Sequence, residues 1–84
     1  MVFVTSDWEG FEEYAKNCKV GTFQQVDTVD GTEVRVKAGQ FGYKATLDLK
    51  NERENAKFQR ILKFVEFQGF ITVTGSVPDE FFHS

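Results

Sequence analysis

Residues 22–49 constrain the fold more than any other stretch of this chain. Residues 22–29 are rich in β-formers. Residues 32–38 continue the pattern, with Val34, Val36 and Ala38 alternating against Arg35 and Lys37. Asp30-Gly31 lies between the two runs, and such a pair predicts a tight hairpin whose central positions need positive φ. Gly39 and Gly42 bracket a second turn. Residues 43–49 form a third arm, with Tyr43, Ala45, Leu47 and Leu49 on one face and Lys44, Thr46, Asp48 and Lys50 on the other. Arms joined by turns this short pair antiparallel.

A helical segment flanks this block on each side. Ser6-Asp7-Trp8-Glu9 fits a capping box, with Ser6 as the cap and Glu9 three residues on. Trp8, Phe11, Ala15 and Cys18 follow at helical spacing, which predicts a helix over 7–19 that stops at Gly21. Asn51 caps a second helix, with Glu54 three residues later. Its Phe58, Ile61, Leu62 and Val65 make one apolar stripe, and Gly69 ends it. Short strands at 2–5 and 70–74 complete the order β-α-β-β-β-α-β, and Pro78 opens a terminal turn carrying Phe81 and Phe82. The expectation is a single α+β domain over residues 1–84, a mostly antiparallel sheet with two helices packed on one face.

Catalytic and metal chemistry find little support. Cys18 is the only cysteine, so an internal disulfide and a Cys-based zinc site are excluded, and as part of the first helix's apolar stripe it reads as core. His83, next to last in the chain, is the only histidine. No Ser or Cys nucleophile has a placed base, and no phosphate-loop or dinucleotide fingerprint occurs. The carboxylate spacing matches no calcium loop. We therefore expect no enzyme activity, no cofactor and no metal. No apolar run approaches the roughly 20 residues that span a bilayer, and no basic-led leader is visible. With one cysteine, this points to a cytoplasmic, reducing setting without membrane contact.

Charge and aromatic content carry the functional expectation. Residues 1–33 hold seven acids and two bases, whereas residues 34–75 hold eight bases and four acids. The blocks sum to −5 and +4, which reads either as a bipolar domain or as a mixed surface whose blocks interleave once folded. Ten residues are Phe and only three are Leu, so some rings should form an exposed patch. On the far side of helix 2, Phe64 and Phe67 fall among Arg53, Lys57, Arg60 and Lys63. That grouping suits docking onto a protein or an aromatic-and-basic contact with nucleic acid. The competing readings end helix 2 near Val65 and turn Phe67 inward, or let Phe81 and Phe82 cover the rings. A second, acidic face comprises Asp7, Glu9, Glu12 and Glu13 on helix 1, with Asp27, Asp30 and Glu33 on the hairpin.

A third candidate is the basic outer face of the strands, made of Arg35, Lys37, Lys44 and Lys50, which suits phosphate contacts. Lys37-Ala38-Gly39-Gln40-Phe41-Gly42-Tyr43 loosely resembles the Gly/aromatic signature of RNA-recognition strands. The α-β-β-β-α centre resembles a double-stranded-RNA-binding domain. Gly39 and Gly42 read better as turn formers, and no lysine cluster opens helix 2, so no functional residue is carried over. The expected function is a non-enzymatic binding protein, an inhibitor or adaptor that occupies a surface of another protein. Small phage-encoded inhibitors of host enzymes and defence systems offer an analogy. The alternatives are a nucleic-acid-binding module and a structural homodimer joined through a free sheet edge or the Phe patch.

Overall fold

The structure is a computed structural model that describes residues 3–73. Five strands and two helices follow in the order β1 (Phe3–Thr5), α1 (Trp8–Ala15), β2 (Gly21–Thr28), β3 (Gly31–Ala38), β4 (Phe41–Leu47), α2 (Glu52–Gln68) and β5 (Ile71–Thr72). They form one mixed sheet with strand order β1-β4-β3-β2-β5. The three long central strands pair antiparallel, as their short turns require. β1 joins β4 in parallel and β5 joins β2 in parallel, so each short strand lies at a sheet edge and is reached through a helix.

Both helices pack on the same face of the sheet. Val34, Val36 and Ala38 of β3 point into that face with Phe23, Tyr43 and Leu47 from the neighbouring strands. Trp8, Phe11 and Ala15 of α1 and Phe58, Ile61 and Val65 of α2 close over them. Rings dominate the join. Trp8 stands edge-on to Tyr43 at 5.1 Å and to Phe64 at 5.4 Å, and Phe64 stands edge-on to Phe70 at 5.9 Å. Each such pair adds about 0.5–1.5 kcal/mol beyond the area that it buries.

Several boundaries differ from the sequence-based expectation. The first hairpin turns at Val29-Asp30, one residue before the Asp-Gly pair, because Thr28 is already paired with Gly31. Gly31 adopts φ 142°, and among the described residues no other residue type has positive φ. A Cβ there would stand 2.7 Å from the Leu47 carbonyl oxygen, so glycine is needed for both conformation and space. Gly42 lies inside β4, and the second turn is Gly39-Gln40. β4 ends at Leu47, where the Asp48 carboxylate accepts from Lys50 N at 3.0 Å and the Asp48 carbonyl from Asn51 N at 2.9 Å. That turn carries Lys50 off the sheet, while Leu49 still packs on the core.

α1 is shorter than 7–19, and its cap is Asp7 rather than Ser6. Asp7 makes no side-chain cap bond. Its N–H instead donates to Thr5 Oγ1 at 3.0 Å, so the capping box does not form. The far end is closed from α2: Gln68 Nε2 donates to the carbonyls of Ala15 at 2.9 Å and Cys18 at 3.0 Å. Gly21 therefore opens β2 instead of stopping α1. α2 follows its sequence signals closely. Asn51 Oδ1 accepts from Arg53 N at 3.0 Å and Glu54 N at 3.3 Å, and Gly69 caps the helix at φ 73°. Among the described residues, no helix is long and apolar enough to cross a membrane.

Candidate functional site

The structure divides the expected α2 site. The helix does run past Val65, but Phe64 turns toward Trp8 and Phe70 and packs against the core. Phe67 remains 88% exposed, beside exposed Lys63, and no ring contact reaches it among the described residues. Arg53 is exposed at the start of the helix, where its N–H serves the Asn51 cap. Lys57 is half-buried, with its ammonium 6.0 Å from the Tyr43 ring centroid. The six residues thus face different surroundings. A lone exposed ring such as Phe67 is ordinary on a small domain.

Arg60 and the acidic face of α1 meet each other. Arg60 Nη2 donates to Glu12 Oε1 at 2.8 Å, and its Nε donates to Oε2 at 3.1 Å. Trp8 Nε1 donates to the same Oε2 at 3.0 Å. One carboxylate thereby joins both helices to the buried indole. Chiefly through the Arg60 hydrogen bond, the Glu12 carboxyl is held below the usual carboxylate range. Glu13 pairs with Lys16 one turn on, while Glu9 and Asp30 are exposed, Asp30 in the β2–β3 turn. Where α1 meets α2, the bipolar reading gives way to the interleaved one: acid and base from opposite blocks neutralise each other.

The outer sheet face gathers Arg35, Lys37 and Lys44, with Arg35 directly opposite Lys44. Lys50 is not among them. Glu33, also on this face, pairs with Arg35 Nε. A shallow depression of about 400 Å³ lies where the start of α1 meets α2, lined by Asp7, Trp8, Glu9, Lys57 and Arg60 among others. Its charges are mixed, and Arg60 is already engaged. Among the described residues, no group of three His, Cys, Asp or Glu side chains is placed to hold a metal ion. His83, Asp79, Glu80, Phe81 and Phe82 lie outside the described residues.

A different aromatic group stands out at one corner of the sheet. Phe3 on β1 is in register with Phe41 on β4, and their ring centroids are 5.6 Å apart. Tyr14, on α1 beside the buried Phe11 and Ala15, brings its ring to 4.5 Å from Phe41. The three rings form a continuous row and are 47%, 36% and 37% exposed for Phe3, Phe41 and Tyr14. They border β1, whose only pairing among the described residues is with β4. Sequence reasoning missed this group. Phe41 falls in what reads as a turn, and only the β1–β4 register brings Phe3 to it. The signal that was present is the surplus of Phe, which called for an exposed patch somewhere. Comparison with protein-family models, with curated proteins and with solved structures finds no match for this chain.

Proposed function

We propose that this chain is a non-enzymatic binding protein, an inhibitor or adaptor that works by occupying a surface of another protein. The observation that supports it is the row of partly exposed rings, Phe3, Phe41 and Tyr14, beside β1, which among the described residues pairs on one side only, with β4. Packed rings present a large apolar area that loses little side-chain entropy on contact, and tyrosine is enriched where binding energy concentrates. The adjoining edge offers backbone N–H and C=O groups to an extended segment of the partner. The single, partly buried Cys18 suits a reducing, cytoplasmic setting.

The test is affinity capture from lysate, with and without nuclease, eluted in rising salt. Wild type should retain a protein that survives nuclease and salt. A Phe3→Ser/Phe41→Ser variant should bind that protein at least about 30-fold more weakly, the loss expected for an interface anchor. Phe67→Ser serves as the control on α2 and should leave retention unchanged. Equal retention by wild type and the double variant would overturn the corner site. Material that is nucleic acid alone, released early in the salt series, would overturn the protein-binding reading itself.

A further inference from the structure

β1 meets β4 on one side, and among the described residues nothing pairs with its other side. Phe3 N donates to the Gln40 carbonyl at 2.9 Å, so the backbone groups of Phe3 face β4. Strand alternation turns the next residue the other way, and the N–H and C=O of Val4 point out from the edge. The edge is also uncharged. Phe3, Val4 and Thr5 lie in register with Phe41, Gly42 and Tyr43, and the Tyr14 ring packs on Phe41. None of these carries a charge, in a chain whose residues are 27% charged. Two copies of one surface bring like groups near one another, and a neutral edge does so without repulsion. Residues 25–28 of β2 also lie outside its pairing with β5, but they include Asp27 and lead to Asp30. Two copies meeting there would crowd carboxylates together.

We propose that a second copy of this chain occupies the β1 edge when no partner is bound, and that the partner must displace it. This rests on reading the Phe3–Phe41–Tyr14 corner as the docking surface. The copies pair antiparallel about a twofold axis at Val4. The Val4 N–H of each donates to the Val4 carbonyl of the other, Phe3 of each lies opposite Thr5 of the other, and two five-stranded sheets join into one. Val4 against itself and two Phe–Thr pairs are the β-branched and aromatic matches that hold neighbouring strands together. Phe3 and Thr5 share a face with Phe41 and the buried Tyr43, so the ring rows of the two copies approach on that face and leave water.

Sedimentation equilibrium of the full chain tests the pairing. Wild type should read near twice 9.6 kDa at high concentration. Val4→Pro removes the outward N–H without breaking a bond to β4. It should weaken self-association about 30-fold, the worth of two hydrogen bonds, while Trp8 emission confirms that the core is intact. Val4→Lys and Val4→Glu give a second route. Each alone should be monomeric, and their equimolar mixture should restore the dimer, because position 4 faces itself. Monomer alone at about 1 mM, the weak end of specific association, would overturn the proposal. So would a dimer that survives all three substitutions, or a mixture of the charge variants that stays monomeric. Affinity capture separates this from the partner reading. The captured complex should hold one copy of this chain per partner, and two copies joined through β1 would overturn the displacement. A monomeric wild type that still captures a protein sinks the self-pairing and leaves the docking reading standing; a dimer that captures no protein does the reverse.

Discussion

The Tyr43 hydroxyl is buried at the centre of the helix–sheet join and meets no hydrogen-bond partner among the described residues. Loss of water there pushes the phenol above its ordinary pKa. An unsatisfied buried group costs about 1–3 kcal/mol, so Tyr43→Phe should raise the unfolding free energy by about 1 kcal/mol or more, read as a higher denaturant midpoint. The wild type should also weaken above about pH 10, where the unfolded chain ionises this phenol first, and the variant should weaken less. Glu12 carries the opposite sign. Its carboxyl is held low in the folded state, so its contribution is present above the unfolded value near 4.5 and is lost as pH falls through the folded value. Glu12→Gln should therefore be less stable than wild type at pH 7 and nearly equal to it at pH 2, in thermal melts at both pH values. Neither role is written in local sequence. Glu12 and Arg60 are 48 positions apart, and only helix packing makes them partners.

At the scale of elements, α2 was the most legible and α1 the least. Asn51 and Gly69 act locally, and each does in the fold what its chemistry suggests. Asn51→Ala should cost about 1 kcal/mol, measured by chemical denaturation. The start of α1 carries an equally plausible cap signal in Ser6 and Glu9, but Asp7 N is engaged by Thr5 Oγ1 and the cap moves on by one. Its far end is decided by Gln68, which no local pattern around residue 18 can reveal. The hairpin shows the same limit. Asp-Gly marks the right neighbourhood, yet the ladder places Gly31 inside the pairing and loads the turn onto Val29 and Asp30. Gly31→Ala should destabilise by more than about 1 kcal/mol, because it combines a disfavoured φ with a close approach to Leu47 O. A denaturant series that shows no loss would mean that the hairpin relaxes freely.

For the whole molecule, the class and the inner face of the sheet were readable from alternation, since Val34, Val36 and Ala38 are all fully buried where the pattern places them. Strand order was not, because the parallel joins at both edges depend on contacts that span each helix. That hidden pairing also decides the candidate site, since the Phe3–Phe41 contact exists only through it. Ile61, fully buried between α2 and the sheet, tests whether sheet and helices unfold together. Ile61→Ala should cost about 2–5 kcal/mol, and Trp8 emission and far-ultraviolet dichroism should lose their signals at one midpoint. Separate midpoints would show that the layers come apart.

The parallel joins carry a mechanical consequence. β1, β4, β2 and β5 all run in one direction, with β1 and β5 at opposite edges. A chain pulled from residues 3 and 73 is thus drawn out at opposite ends of the sheet. The β1–β4 and β2–β5 ladders are loaded lengthwise, so their hydrogen bonds must slide together instead of opening one by one. Two very short strands would then act as the fasteners under tension, and the long central meander would be sheltered until one of them slips.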